Sequence, residues 1–223
     1  MKEAVAEKLA ARVKDGERIG VGTGSTVDMA LTKIGERIKN EGLNLQVVPT
    51  SLQSAWRCQE IGLTVLYPAF NGELSWGFDG ADAVDSNLWL IKGKGGALLQ
   101  EKILAAKCNH FVVIVDDSKM TDDLSKACAI PVEVIPEARM IAERQLERLN
   151  ATGIELRPAV GKHGPIITEA GNIILDVTFK SIDKDLERNI KSIVGVVESG
   201  LFIGYANEVI VAGKSGIQVL TPG

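Results

Sequence analysis

Short apolar segments alternate with amphipathic helical patterns over the first 120 residues, and this alternation constrains the fold more than any other feature of the chain. Val5, Leu9 and Val13 recur every four residues, which predicts a helix over residues 1–15, followed by a strand at Arg18–Gly22. The later apolar segments are Leu45–Val48, Leu63–Leu66, Gly77–Asp79, Leu88–Lys92 and Phe111–Val115, with helices predicted at 51–61 and 96–107. This pattern is typical of an α/β fold with an open, Rossmann-like parallel sheet covered by helices on both faces.

The pattern changes after residue 120. The predicted elements are a strand at Val132–Ile135, a helix at Pro136–Leu149, strands at Ile154–Arg157 and Asn172–Val177, a helix at Asp183–Ile190 and a strand at Gly195–Glu198. The order βαββαβ is the ferredoxin-like split motif. We therefore predict a small α+β domain at 124–199, inserted into an α/β domain formed by 1–123 plus 200–223, whose tail is a β-hairpin.

Charge and cysteine content exclude several classes of protein. Lys and Arg number 25 against 29 Asp and Glu, a net charge of −4, and we expect no nucleic-acid partner because such binders need a basic face. The longest apolar stretches fall far short of the ~20 residues that span a bilayer, and the charged N-terminus is not a signal peptide, so we expect no membrane association. Three scattered cysteines, Cys58, Cys108 and Cys128, favour reduced thiols in a cytoplasmic protein.

The first candidate site is the glycine-rich turn Gly20–Thr26, which lies between a predicted strand and a helix. Backbone N–H groups, the positive end of a helix dipole and the hydroxyl groups of Thr23, Ser25 and Thr26 suit a phosphate. The alternative is an ordinary turn in which Ser25 or Thr26 caps the helix. The segment lacks the glycine or lysine that the dinucleotide and Walker motifs require.

Two acidic residues lie at the end of the next candidate strand. Asp79 is its last residue, and Asp82 comes after the small residues Gly80 and Ala81. Ligands of open α/β sheets bind at the carboxyl ends of strands, so this pair could share a polyol, a metal or a proton. The alternative is a solvated Asx turn.

A third strand end carries Lys92, Gly93, Lys94 and Gly95, and the helix that follows contains Glu101. A carboxylate near a helix N-terminus is favoured in its ionised form, which suits a base. Lys119 follows the most apolar strand and could complete an anion site that a net negative protein would need. The alternative is that these charged side chains are simply exposed to solvent, which applies to Lys92, Lys94, Glu101 and Lys119.

Together these motifs resemble the ribose-5-phosphate isomerase type A family. The matching blocks, in order and spacing, are GVGTGSTV (20–27), DGAD (79–82), KGKGGALLQEK (92–102) and DDSK (116–119). The resemblance covers essentially the whole chain and implies interconversion of D-ribose 5-phosphate and D-ribulose 5-phosphate without metal or organic cofactor. It also implies a homodimer or homotetramer, for which the apolar segments Ile173–Val177 and Gly195–Gly204 are candidate interfaces.

The resemblance also implies residue roles. The phosphate would be held by Thr23, Gly24, Ser25 and Thr26, with Lys119 and Lys2. The sugar ring would be opened by Asp79 and Asp82, Lys92 would stabilise charge on the reacting oxygen, and Glu101 would shuttle the proton. The substrate would be lined by Gly80, Ala81, Gly93, Lys94 and Gly95. Lys94 replaces a glycine usual in the family. If position 94 needs a positive φ, lysine is disfavoured there and the contact of this backbone segment with substrate fails. If only the backbone N–H of position 94 touches the substrate, lysine is tolerated.

Two other functions remain open at this point. A non-catalytic sugar-phosphate sensor would need the phosphate loop but neither Glu101 nor Lys92. An isomerase or deaminase acting on an amino-sugar phosphate would need a group to handle the amine, and neither His110 nor His163 lies in these motifs.

Overall fold

The computed structural model describes residues 2–67, 69–214 and 216–222. Its α-helices are α1 (Lys2–Ala10), α2 (Ser25–Glu41), α3 (Leu52–Glu60), α4 (Leu98–Lys107), α5 (Leu124–Ala127), α6 (Arg139–Arg148) and α7 (Leu186–Lys191). The strands are β1 (Arg18–Val21), β2 (Gln46–Pro49), β3 (Thr64–Val65), β4 (Trp76–Asp79), β5 (Ala83–Val84), β6 (Leu90–Ile91), β7 (Phe111–Asp116), β8 (Ile130–Val134), β9 (Ala151–Leu156), β10 (Ile173–Phe179), β11 (Val196–Ser199), β12 (Leu201–Phe202), β13 (Glu208–Gly213) and β14 (Gly216–Leu220). Short 3₁₀ turns cover Asp117–Lys119 and Pro136–Ala138.

The chain divides into two compact units. The first comprises Met1–Ala81, Gln100–Met120 and Gly204–Gly223, and the second comprises Asp82–Leu99 and Thr121–Ile203. The second unit thus contains the predicted domain 124–199 together with residues 82–99, 121–123 and 200–203, which the sequence pattern groups with the first domain. Ala83 and Ile91 explain the difference, because both are buried in the same apolar cluster as Val132 and Leu175.

A seven-stranded sheet organises the first unit, in the order β14-β13-β7-β4-β1-β2-β3. All neighbouring strands are parallel except the hairpin β13–β14. Five consecutive residues of β7 are buried, as expected for a strand covered on both faces. The predicted parallel α/β sheet and its terminal hairpin are therefore confirmed.

Helix α1 is shorter than the predicted 1–15. It ends at Ala10, and the chain then turns through bonds from Arg12 N to Leu9 O and from Val13 N to Ala10 O. The guanidinium of Arg37 donates to the carbonyl oxygens of Ala10 and Val13, at 2.6 and 2.9 Å. A distant side chain thus satisfies carbonyl groups that another turn of helix would have bonded.

The second unit contains a four-stranded antiparallel sheet in the order β11-β8-β10-β9. This arrangement, with α6 between β8 and β9 and α7 between β10 and β11, confirms the ferredoxin-like βαββαβ motif. Strand β10 is an interior strand, and Ile173, Leu175 and Val177 lie in the unit's own core. The expectation that Ile173–Val177 form an interface between subunits is therefore wrong.

One predicted strand of the parallel sheet belongs elsewhere. Strand β6 pairs antiparallel with β5 and β12 in a separate three-stranded sheet of the second unit. The connection from β5 to β6 is a tight turn in which Asp85 Oδ1 accepts from the N–H groups of Asn87 and Trp89, at 2.9 and 2.8 Å. Five residues allow a hairpin but not a parallel crossover, which needs about a dozen.

Candidate active site

The glycine-rich turn follows β1 and leads directly into α2. Gly22 must be a glycine, because a Cβ there would lie 2.0 Å from Cγ of Asp79. The N–H of Gly22 donates to the carbonyl oxygen of Phe78 at 2.8 Å, so the turn is bonded to the neighbouring strand β4. The sequence of small residues thus lets β1 and β4 bring the turn and Asp79 into contact.

Gly24 occupies the N-cap position of α2, with φ 128° and ψ 172°. The capping position makes no side-chain hydrogen bond, so the alternative in which Ser25 or Thr26 caps the helix is wrong. The helix is 17 residues long, and its first N–H groups carry the positive end of the dipole. A helix start of this kind suits an anion.

The hydroxyl group of Thr23 has partners within the first unit. Its Oγ1 lies 2.8 Å from Thr50 Oγ1, 2.8 Å from Ser51 Oγ and 3.1 Å from Ser54 Oγ. Ser54 Oγ also donates to the carbonyl oxygen of Gly22 at 2.7 Å. This side chain therefore holds the turn in place. This hydroxyl cluster was not predicted, although the polar residues that directly follow strand β2 were a signal for it.

Lys2 lies close to the start of α2, and Lys119 ends the 3₁₀ turn that follows β7. Lys2 Nζ donates to Ser25 Oγ at 3.1 Å. Hydrogen bonds from Ser118, followed by the charges of Lys2 and Lys119, lower the pKa of the Asp116 carboxyl against the opposing effect of burial. Both ammonium groups are thus near one carboxylate at the end of β7.

Asp79 is fully buried at the end of β4. Its Oδ1 accepts from the N–H groups of Thr23 at 3.1 Å and Gly80 at 2.7 Å. These donors fix the carboxylate against the glycine-rich turn. Asp79 therefore has a set orientation rather than the solvated position of the alternative interpretation.

Glu101 lies in the first turn of α4 and is only 3% exposed. The positive end of the helix dipole lies beside it, and burial excludes the solvated helix face that was the alternative. Lys102, which the sequence analysis passed over, is 4% exposed, and its Nζ lies 5.6 Å from the ring centroid of Tyr205.

In the second unit, Lys92 follows β6 and is 3% exposed. Its N–H donates to Gly200 O at 2.8 Å, and its Nζ lies 5.7 Å from the ring centroid of Phe202. Asp82 is half-buried, and its Oδ2 accepts from the N–H of Lys94 at 2.9 Å. Both lysine and aspartate thus belong to a defined loop, although Lys92 follows an antiparallel strand and not the parallel one expected.

Lys94 is compatible with the loop. The described non-glycine residues with positive φ are Leu88 and Asn150, while the left-handed conformations of this loop fall on Gly93 and Gly96, at 95° and 86°. Position 94 supplies its N–H to Asp82 and needs no glycine. The departure from the family's usual sequence therefore leaves this backbone contact intact.

The predicted site residues divide between the two units. The first unit holds Lys2, Thr23, Gly24, Ser25, Thr26, Asp79, Gly80, Ala81, Glu101 and Lys119, and the second holds Asp82, Lys92, Gly93, Lys94 and Gly95. A cavity of about 990 Å³ in the second unit is lined by Asp82 and Lys94, among others. In the described ranges, no three His, Cys, Asp or Glu side chains are grouped as metal ligands. None of the described helices is long and apolar enough to cross a membrane.

Comparison with known proteins gives consistent matches over the whole chain. Residues 46–216 match the family model of ribose 5-phosphate isomerase A, also called phosphoriboisomerase A. The chain is 43% identical to ribose-5-phosphate isomerase A 1 of Oceanobacillus iheyensis, covering 98% of this chain and 97% of that protein. It is 42% identical to the human ribose-5-phosphate isomerase, covering 95% of this chain and 71% of that one.

Solved structures agree with these matches. Ribose 5-phosphate isomerase A from Methanocaldococcus jannaschii has a TM-score of 0.94 and 38% identity, with 99% of this chain and 97% of that chain covered. A D-ribose-5-phosphate isomerase in complex with phospho-erythronic acid has a TM-score of 0.95 and 37% identity, with the same coverage. The order of elements described above is thus similar to that of solved proteins along its full length.

Proposed function

This chain belongs to the ribose 5-phosphate isomerase A family, and we propose from that premise how its own residues interconvert D-ribose 5-phosphate and D-ribulose 5-phosphate. The reaction is an aldose–ketose isomerisation of the pentose phosphate pathway. A proton leaves C2 of the open-chain aldose, an enediolate forms, and a proton returns to C1, while the proton on O2 is lost and O1 gains one. One base can carry out both carbon transfers.

Glu101 is that base. The observation that carries the proposal is a glutamate that is 3% exposed in the first turn of a helix, close to the positive end of the helix dipole. General base catalysis by a positioned side chain contributes roughly 10²–10⁴-fold.

Lys92 stabilises the negative charge that develops on the oxygens of the enediolate. Its buried position supports this role, because a preorganised positive group acts more strongly where water is excluded. Donors of this kind contribute about 2.7–4 kcal/mol to transition-state stabilisation. The loop glycines and Lys94 line the substrate beside it.

Asp79 and Asp82 open the furanose ring, which is the main form of the free sugar. Ring opening needs a base at the O1 hydroxyl and an acid at the ring oxygen, and a pair of carboxyl groups three residues apart can supply both. The backbone donors on each carboxyl, from Thr23 and Gly80 on Asp79 and from Lys94 on Asp82, support fixed orientations.

The phosphate binds at the start of α2. Support comes from the N-terminal N–H groups after Gly24, the exposed hydroxyl of Ser25 with its Lys2 partner, and the second lysine, Lys119. Binding energy from this group, remote from C1 and C2, holds the sugar in its reacting geometry. Phospho-erythronic acid in the related structure is a ligand with the same chemistry, a phosphate on a short polyhydroxy chain.

The deciding experiment is Glu101→Gln. We expect ketopentose formation from ribose 5-phosphate to fall by at least ~10²-fold, because the amide cannot accept the proton, while ribose 5-phosphate still binds. The matched control is Glu60→Gln, an exposed glutamate near the end of α3. A variant with near wild-type turnover would remove Glu101 from the mechanism, and wild-type protein that binds the sugar without converting it would instead be a sensor.

Chelation provides a second test. Since the proposed steps use only side chains and backbone groups of this chain, we expect prolonged treatment with a chelator to leave the rate of ketopentose formation unchanged. A chelator-sensitive rate that zinc or manganese restores would make the aspartate pair a metal site.

We also infer that the protein acts in the cytoplasm as a homodimer or homotetramer. All three cysteines are thiols, as suits a reducing compartment, and the edge strand β14 exposes Ile217 and Val219. Sedimentation velocity at micromolar concentration should give a species of at least twice 23.9 kDa. A monomer at that concentration would contradict the assembly.

A further inference from the structure

Arg157 links the loop that carries Lys92 to the sheet of the second unit. Its Nη1 donates to the carbonyl oxygens of Gly93 and Lys94, at 3.0 Å each. Its Nε donates to Asp176 Oδ2 at 2.8 Å, and its Nη2 donates to the other oxygen of that carboxylate. One planar guanidinium therefore connects two consecutive peptide groups of the loop with a carboxylate on β10.

The arginine is itself held rigidly. Its N–H donates to Ile174 O at 2.9 Å, and its carbonyl oxygen accepts from Ile166 N at 3.0 Å. The side chain is 13% exposed and that of Asp176 is 26% exposed. Asp176 lies on β10, an interior strand of the antiparallel sheet. The position of the guanidinium is thus set by the sheet and not by the loop.

The peptide geometry shows what this contact controls. In a trans peptide the C=O and the N–H of the next residue point in opposite directions. The carbonyl of Gly93 shares its plane with the N–H of Lys94, which donates to Asp82 Oδ2 at 2.9 Å. The carbonyl of Lys94 shares its plane with the N–H of Gly95. Fixing the carbonyl of Gly93 therefore fixes the N–H of Lys94, which orients Asp82. Fixing the carbonyl of Lys94 directs the N–H of Gly95 away from Arg157.

We infer that Arg157, held by Asp176, is a positioning residue for the isomerisation: it orients the peptide groups 93–94 and 94–95, and through them the carboxylate of Asp82 and the donor at Gly95. The inference rests on the proposed function. The side-chain hydrogen bonds of Arg157 go to the loop and to Asp176, so we expect its loss to affect the chemical step. The lysines and the helix start proposed to capture the phosphate belong to the first unit.

The first test is Arg157→Met, which keeps the length of the side chain and removes its donors. We expect kcat to fall on the order of 10–100-fold, since small misplacements of reacting groups have effects of this size, and the inhibition constant of inorganic phosphate to stay unchanged. Asp176→Asn should lower kcat in the same direction. The matched control is Arg139→Met, which removes an arginine paired with Glu143 on α6 of the same unit and should leave kcat unchanged.

A rescue experiment separates positioning from a general contribution to stability. In Arg157→Ala, added guanidinium should recover part of the lost kcat, whereas in Arg139→Ala it should change nothing. Circular dichroism and thermal unfolding of each variant report the folded fraction.

The inference is overturned if Arg157→Met has the kcat of Arg139→Met. It is equally overturned if the kcat of Arg157→Ala falls only in proportion to its folded fraction and guanidinium does not restore it. Failure of the proposed function would look different, because the wild-type protein itself would form no ketopentose.

Discussion

At the scale of single residues, close approach of the backbone decides where glycine is required. A Cβ at Gly22 would lie 2.0 Å from Asp79 Cγ, and one at Gly200 would lie 2.1 Å from the carbonyl oxygen of Lys92. Both contacts involve residues, Asp79 and Lys92, for which we propose catalytic roles. The glycines thus serve the placement of charged groups as well as the turns in which they lie.

Gly22→Ala should therefore lower kcat/KM strongly and destabilise the fold by about 1–3 kcal/mol, because Asp79 is bonded to two N–H groups and cannot move aside freely. The control is Gly42→Ala at the end of α2, where φ is 70° but no atom lies within 4 Å of the added Cβ. Gly42→Ala should lower the free energy of unfolding by only the ~1–2 kcal/mol that the left-handed backbone conformation costs an alanine, and it should leave kcat/KM unchanged. Urea unfolding and initial rates measure both effects, and equal activity in the two variants would contradict this account.

The cysteines should differ in reactivity. Burial raises the pKa of the Cys58 and Cys108 thiols to about 12, so both are protonated at pH 8, while Cys128 is exposed. Because the thiolate is the reactive form, we expect iodoacetamide to modify Cys128 first and the other two only after denaturation. Peptide mapping by mass spectrometry over time measures this order; early labelling of Cys58 in folded protein would contradict it.

At the scale of elements, one buried carboxylate connects the region after α1 with β7 and β13. Glu208, the first residue of β13, accepts from Arg12 and lies 3.3 Å from His110 Nε2 through its Oε2. Burial raises the pKa of this carboxyl, but the hydrogen bonds and charges of Arg12 and His110 outweigh it and hold the pKa below the ordinary 4.5. The elements are therefore joined by an ion pair as well as by apolar packing.

The interactions of Glu208 with Arg12 and His110 make the stability of the fold depend on pH in the acidic range. A carboxyl whose pKa is lower in the folded state stabilises the fold above its unfolded-state pKa, and that contribution is lost as the pH falls through the folded-state pKa. Glu208→Gln should lower the free energy of unfolding by about 1–3 kcal/mol at pH 7, and the difference from wild type should shrink below pH 4.5. Denaturant titrations at several pH values measure it. Glu41→Gln, an exposed partner of Arg37, should change stability little at any pH.

At the scale of the whole molecule, the chain passes from one unit to the other at 81/82, 99/100, 120/121 and 203/204. The grouping of residues 82–99 with the second unit differs from the boundary at 124–199 that the sequence predicts. Ile91, in the apolar cluster of the second unit, and Val47, in that of the first, test which grouping describes the folded protein.

Ile91→Ala should destabilise the second unit by about 2–5 kcal/mol, because the cavity it leaves lies in that unit's core. Hydrogen exchange should then accelerate in β8 and β10 more than in β1 and β7. Val47→Ala should show the opposite pattern. Equal acceleration of both sheets by Ile91→Ala would contradict the two-unit division and support a single cooperative core.

Much of this molecule follows from local sequence. Periodicity and glycine content predicted the parallel sheet, the βαββαβ motif, the strand that ends at Asp79 and the strand that Lys119 follows, because those signals act between residues close in the chain. Tertiary structure alone placed β6 in a separate antiparallel sheet, surrounded Thr23 with hydroxyl groups from 27 to 31 residues away, and set Arg157 on carbonyls 63 and 64 residues away. Such pairings depend on which distant partners the folded chain brings within hydrogen-bonding distance, and periodicity and glycine content do not determine that choice.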